Sequence, residues 1–290
     1  GKGLMGTPLV STVLAAELIR RAGGIAEEDV LEDISGGCAA TVAYLDGSDW
    51  GGTNTGVSVD ADGVLSGSKF MVPDAAQATW IAVVGSDAAG DAVVALVAGS
   101  DVTAQAQASH ALIDLTKRAS TLDFTGVKAQ RVLSGDKVAS AIRDYLLIGA
   151  LLTAAEAVGS TSACLAGIVD YLKTRKQFGK LIGSFQALKH PTVDIYVGME
   201  HSRSLVYHAS SEIDDGPLST EAEVACRMAK AKASDTIQYA GDRSVQFHGG
   251  FGFTWECDSS LFIRRAAWSQ QQFGDAMHHR KRLAPLLLDA

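Results

Sequence analysis

The feature that most constrains this chain is a change of rhythm near residue 136. Before it, short runs rich in Val, Ala, Thr and aromatics alternate with turn signals; after it, turn signals almost vanish and apolar residues recur at three and four. The early runs are Cys38–Leu45, Val64–Val72, Trp80–Val84, Ala92–Val97 and Ala119–Phe124, separated by Asp-Gly, Asp-Ala-Asp-Gly, Ser-Asp-Ala-Ala-Gly and Gly-Ser-Asp turns. No helical pattern lies between them, which predicts an antiparallel sheet or small barrel and argues against a parallel doubly wound fold. Ahead of them, Pro8–Arg21 and the acidic stretch Ala26–Ile34, closed by Ser35-Gly36-Gly37, read as helices. The later segments are Val138–Arg175, Phe185–Ile213, Ala222–Phe247, Ser259–Gln272 and Ala276–Leu288, the third opened by a capping box at Thr220-x-x-Glu223. Helices this long are stable mainly when packed on one another, so an antiparallel four-helix bundle is expected. The fold class is therefore α+β and multidomain, with residues 1–37 helical, 38–136 a central antiparallel β-barrel or sandwich, and 137–290 a C-terminal four-helix bundle.

Charge follows the same division. Residues 1–136 carry 8 basic and 17 acidic side chains, residues 137–290 carry 17 and 16, and the whole chain has a formal net charge of −8. That balance gives no electrostatic case for nucleic acid or an anionic membrane surface. The longest apolar stretch, Tyr145–Ala155, is interrupted by Thr153 and stopped by Glu156, short of the roughly 18 residues a membrane span needs. No membrane-spanning helix is expected. Cys38, Cys164, Cys226 and Cys257 lie far apart without a Cys-x-x-Cys pair, which predicts buried reduced thiols, no zinc site and a cytoplasmic setting.

Three segments carry candidate chemistry. In the first, Tyr171 to Lys180 followed by Phe185-Gln186, an Arg at a helix end precedes Gln177, Phe178 and a glycine turn. Spacing alone favours a helix C-cap with a solvated basic patch. The same residues also suit anion recognition, because the Arg175 guanidinium can grip phosphate oxygens with two parallel bonds and Phe178 offers a flat face to a ring. In the second, Gln246-Phe247-His248-Gly249-Gly250-Phe251-Gly252-Phe253-Thr254, the glycines make a sharp turn or admit a pyrophosphate close to the main chain. It does not have the spacing of a dinucleotide-binding fingerprint. The third, Arg264-Arg265 through Phe273-Gly274-Asp275 to Arg280, reads equally well as a turn between two helices.

Taken in order, these segments resemble the C-terminal domain of the flavin-dependent acyl-CoA dehydrogenases over most of 138–290. Val64-Leu-Ser-Gly67-Ser68-Lys69 and Leu133-Ser-Gly135 are similar to pieces of that family's central β-domain, and residues 1–37 to the tail of its N-terminal helical domain. The resemblance implies FAD as cofactor. It also implies α,β-dehydrogenation of an acyl-CoA thioester, in which a carboxylate takes the α-proton while the flavin accepts the β-hydride.

The departures from the pattern are specific. The usual base position holds Phe273, and the alternative position, early in the first long helix, holds Gly149; neither can accept a proton. Asp275 is two residues away and projects around the helix from the required direction. Catalytic residues are therefore expected to be absent. On the flavin-facing side, Tyr44-Leu-Asp46-Gly47-Ser48-Asp49 retains only the end of the family's loop, and Met71-Val72-Pro73 replaces its Trp-Ile-Thr; Pro73 has neither hydroxyl nor amide hydrogen. Arg175, Gln177, Phe178, Gln186, Gln246, Phe247, His248, Gly249 and Gly250 are retained. The resemblance implies that this set reaches across a dimer interface to the adenosine and pyrophosphate of a neighbour's FAD. The expectation is a non-catalytic subunit of a heteromeric (α2β2) acyl-CoA dehydrogenase of the actinobacterial steroid side-chain type. Its partners would be a homologous catalytic subunit that binds the acyl-CoA and an electron-transfer flavoprotein or similar acceptor. A self-sufficient homotetramer with an unusual base, a flavin-free scaffold and a plain structural bundle are the alternatives.

Overall fold

The computed structural model describes residues 1–23, 28–102 and 107–288, which divide into two compact units. One comprises Gly6–Ile148 with Asp215–Pro217; the other comprises Gly1–Met5, Gly149–Asp214 and Leu218–Ala290. The division falls inside a continuous helix, Asp136–Thr174.

In the first unit, α1 (Leu9–Gly23) buries Leu14, Ala15, Leu18, Ile19 and Ala22, the stripe that helical spacing dictates. Helix α2 (Glu28–Ser35) ends where Gly36 N–H donates to the Glu32 carbonyl and Gly37 adopts φ 108, a conformation open to glycine. The Ala26 and Glu27 part of the expected helix lies outside the described residues. Eight strands follow: β1 (Ala40–Ala43), β2 (Ser58–Val59), β3 (Leu65–Ser66), β4 (Ser68–Pro73), β5 (Trp80–Ser86), β6 (Ala92–Ala98), β7 (Gln107–Ser109) and β8 (Ala119–Asp123). A ninth, β9 (Arg131–Leu133), joins β6. The sheets are β3-β2-β5-β6-β9, with β1 also on β5, and β4-β8-β7.

The ladders are antiparallel except that β1 and β2 run parallel to β5. Both take the same edge of β5, because β6 occupies the other edge over the full length from Trp80↔Ala98 to Ser86↔Ala92. Ile81, Val83, Val93, Ala95 and Val97 join Val57, Leu65, Leu122 and Phe124 in one core. Ala82, Val84, Val94 and Leu96, on the opposite face, are buried too. Burial on both faces is why these strands read as continuous apolar runs rather than alternating ones.

Helix α3 (Asp136–Thr174) contains a window long and apolar enough, by length and composition, to cross a membrane, which the sequence reading did not anticipate. Of that window, 61% is buried within the chain. In the second unit a two-residue hairpin, β10 (Lys176–Gln177) with β11 (Lys180–Leu181), leads to α4 (Gln186–Ser211), α5 (Thr220–His248), α6 (Ser259–Gln271) and α7 (Ala276–Leu288). The cap of α5 is Ser219, whose side chain accepts from Ala222 N–H at 3.1 Å; the expected box at Thr220 is displaced by one residue, and Glu223 pairs with Arg227 instead. Helix α5 packs against α4, α6 and α7. Its buried positions, Ala222, Ala225, Ala229, Ala233, Ala240 and Gly241, are small enough to let three helices approach. At Gly241, for example, an added β-carbon would stand 3.1 Å from the Ile263 Cα.

All four cysteines are free; Cys164, Cys226 and Cys257 are buried, whereas Cys38 is only half-buried. Burial pushes the Cys164 thiol up to about 12. Among the described residues no group of His, Cys, Asp and Glu could hold a metal ion.

Candidate functional site

Arg175 is the residue at which α3 hands over to the hairpin. Its N–H donates to the Tyr171 carbonyl at 2.9 Å and its carbonyl accepts from Ile182 N–H at 2.9 Å, so the backbone beneath the exposed guanidinium is fixed from both sides. At the hairpin tip Phe178 and Gly179 have φ 51 and 76, the pairing that a two-residue turn with right-handed strand twist requires. Phe178 is 90% exposed, and its ring meets Phe185 edge-on at 6.2 Å. Lys180 Nζ lies 4.5 Å above the Phe185 ring. Gln177 and Gln186 are exposed beside them.

The end of α5 is brought to the end of α3 by Tyr171. Its ring lies tilted by 32° against His248 with centroids 4.4 Å apart, and its hydroxyl donates to the His248 carbonyl at 3.4 Å. His248 Nδ1 lies 2.7 Å from the Ser244 carbonyl, which requires the proton on Nδ1, and 3.1 Å from Ser259 Oγ. Phe247 and His248 are thus largely buried within their own unit. Gln246, Gly249 and Gly250 are exposed. Gly249 has φ 60, and an added β-carbon at either glycine would meet nothing within 4 Å, so open space adjoins this main chain.

The two expected base positions are in contact. A β-carbon added to Gly149 would lie 2.3 Å from Cε1 of Phe273 and 2.6 Å from Cδ1 and Cζ, so the phenyl ring rests directly on the helix backbone. Asp275 caps α7: its Oδ1 accepts from His278 N–H at 2.7 Å, a structural task.

Beneath this turn, sequence reading missed Lys230. It is fully buried, and its ammonium donates to Ser234 Oγ and the Ser269 carbonyl at 2.9 Å and to the Gln270 carbonyl at 3.3 Å, closing the C-terminus of α6. Burial pulls it down to about 7, against the pull of Asp275. Burial, reinforced by the Lys230 charge, holds His279 down to about 3. The available signal was a lysine in step with the small residues of the buried α5 face.

In the β-unit a second buried lysine does comparable work. Lys69 donates to the Tyr44 carbonyl at 3.0 Å and to Asp46 Oδ1 and the Asn54 carbonyl at 2.6 Å, pinning the Tyr44–Asp49 loop. Burial lowers its proton affinity, and the Asp46 carboxylate opposes the shift. Tyr44 stacks on Trp50 and tilts against Tyr145, both at 5.8 Å. Val72 is buried, and the Pro73 carbonyl accepts from Thr41 Oγ1 at 2.6 Å.

Residues 139–285 match the family described as acyl-CoA dehydrogenase, C-terminal domain. The chain belongs to the acyl-CoA dehydrogenase family. Among relatives, acyl-CoA dehydrogenase IpdE2 of Mycolicibacterium smegmatis is 39% identical over 134 residues, which are 46% of this chain and 40% of that protein. The chain therefore spans well under two thirds of the length of that relative. Among solved structures, a variant of the Tcur3481–Tcur3483 steroid ACAD aligns over 98% of this chain and 76% of its own, at 26% identity and TM-score 0.83. The ChsE4–ChsE5 complex from Mycobacterium tuberculosis aligns over 98% and 77%, at 24% identity and TM-score 0.83, a likeness of fold. Acyl-CoA dehydrogenases are FAD-binding flavoproteins, and FAD is the cofactor that this membership brings.

Proposed function

We propose that this chain is the non-catalytic subunit of a heteromeric, FAD-dependent acyl-CoA dehydrogenase. In this reading the homologous partner binds the acyl-CoA and carries out its α,β-dehydrogenation. The observation that carries the reading is an asymmetry: the exposed guanidinium of Arg175, the exposed amides of Gln177, Gln186 and Gln246 and the open Gly249-Gly250 backbone sit at adjoining helix ends, while the base positions hold a phenyl ring on a glycine. The exposed set fits the adenosine and pyrophosphate of FAD, because an exposed cation, amide donors and unshielded peptide N–H groups are what a diphosphate needs. The flavin ring is not fitted by this chain: Val72 is buried and Pro73 offers no N–H.

When bound, FAD supplies a hydride acceptor for the β-carbon of a thioester. Arg175 would hold the pyrophosphate charge, the exposed Gly249-Gly250 backbone would offer its peptide N–H groups to it, and Phe178 would present an apolar face. No group of this chain at residue 149 or 273 takes the α-proton. A steroid side-chain substrate, an α2β2 assembly, an electron-transfer flavoprotein as acceptor and a cytoplasmic location belong to the same proposal. The steroid substrate and the heteromeric assembly draw their support from the likeness to the steroid ACAD, whose fold the ChsE4–ChsE5 complex shares.

The test is the flavin absorbance and subunit composition of the chain purified with and without a co-expressed homologous neighbour. One FAD per pair of chains, and none on the chain alone, is the expected result. Stoichiometric FAD on the isolated chain would establish the homotetrameric alternative, and a flavin-free complex the scaffold.

A further inference from the structure

Gly149 stands inside α3, where glycine is a poor choice on conformational grounds, since its backbone loses more freedom than any other residue. Its reason for being there is spatial. With Phe273 ring atoms 2.3–2.6 Å from where a β-carbon would be, any other residue at 149 would expel the ring. Phe273 itself has φ 57, a backbone conformation that bulky residues avoid.

That conformation is imposed from both sides. Lys230 binds the last carbonyls of α6, Gly274 follows at φ 92, and Asp275 starts α7 by capping His278 N–H. Two helix ends and a buried cation therefore aim one aromatic ring at the only kind of residue that can receive it. An unfavourable backbone held by its surroundings is a reason to look for a function.

We propose that Phe273 is a plug. Its ring fills the place that the family's two alternative base positions share, and it shuts this chain's own centre to an acyl thioester, so that a complex takes up one thioester per pair of chains. The proposal rests on the reading above for the alignment of those two positions. The contact itself is independent of that reading. Loss of the base is thus more than a missing carboxylate: the space that a carboxylate would need has been packed with a ring, and the facing helix has given up its side chain to receive it.

Two measurements test this. In thermal unfolding of the chain, Gly149→Ala should lower Tm by about 5 °C through overpacking against the ring. In a Phe273→Ala background the same substitution should raise Tm by about 2 °C, because only the helix preference for Ala then remains. An equal effect of Gly149→Ala in both backgrounds would overturn the contact and the proposal with it. In the co-expressed complex, isothermal titration with S-octyl-CoA, a thioether that cannot react, should give one site per two chains for the wild type and two when this chain carries Phe273→Ala. Two sites in the wild type, or one in the variant, would overturn the plug. One flavin per chain would instead remove the subunit reading, leaving the unfolding cycle to decide the contact.

Discussion

Replacing Lys230 by Met should change the pH dependence of stability more than stability at any one pH. In the unfolded chain the ammonium loses its proton near the ordinary 10.5; in the folded protein burial brings this down to about 7. Between those values the unfolded state binds one more proton than the folded state, so the contribution of Lys230 to stability improves as pH rises through the window. Each pH unit of differential binding is worth about 1.4 kcal/mol, and allowing for partial titration near pH 7 the gain from pH 7 to pH 9 is about 2 kcal/mol. Methionine has similar length and no proton to lose, so it removes this slope while leaving other titrating groups in place. The assay is urea unfolding of wild type and Lys230→Met at pH 7, 8 and 9, compared as a difference at each pH. The wild type should gain about 2 kcal/mol on the variant over that range. A flat difference would refute the reasoning: it would mean that the three acceptors at 2.9, 2.9 and 3.3 Å hold the ammonium charged throughout, outweighing burial.

Arg175→Ala should weaken FAD retention in the complex about ten-fold or more, since a bond to a charged group contributes roughly 1.5–3 kcal/mol, and Arg175→Lys should restore the charge without the two-pronged geometry. Flavin per heterodimer after dialysis reads this, and unaltered retention with intact assembly would count against the cross-subunit role. Arg265, fully buried, pairs with Glu156, and its other terminal nitrogen donates to the Met5 carbonyl at 3.4 Å. Glu156→Gln should therefore cost about 3 kcal/mol in urea unfolding by removing a carboxylate charge that pairs with the buried guanidinium, and adding Arg265→Met should recover part of that loss. No recovery in the double variant would show that packing, not charge, dominates there.

The five later helices were legible because their apolar spacing and capping residues are local properties: each predicted boundary lies within about two residues of the observed one, within the usual scatter of helix-end assignment. The parallel pairing of β1 and β2 with β5 was not legible, because strand direction depends on which edge remains free after β6 has taken the other, a fact about partners distant in sequence. Strands as short as β2, β7 and β9 carry too few residues for a period of two to show.

The candidate site divides in the same way. The chain's residues alone establish that no proton acceptor stands at 149 or 273, since that is a matter of side-chain identity; Arg175, Gln246 and the glycines read by themselves as a helix end and a turn, and it is the family resemblance that proposes them for a diphosphate. Tertiary structure alone sets His248 against Tyr171, assigns Asp275 to a helix cap and places the Phe273 ring on Gly149. Residue 149 lies inside α3 and residue 273 in the turn between α6 and α7, more than a hundred positions apart, and the sequence pattern of either is satisfied without the other. Only the fold, which brings the turn between α6 and α7 onto α3, makes the absence of one side chain the condition for the presence of the other.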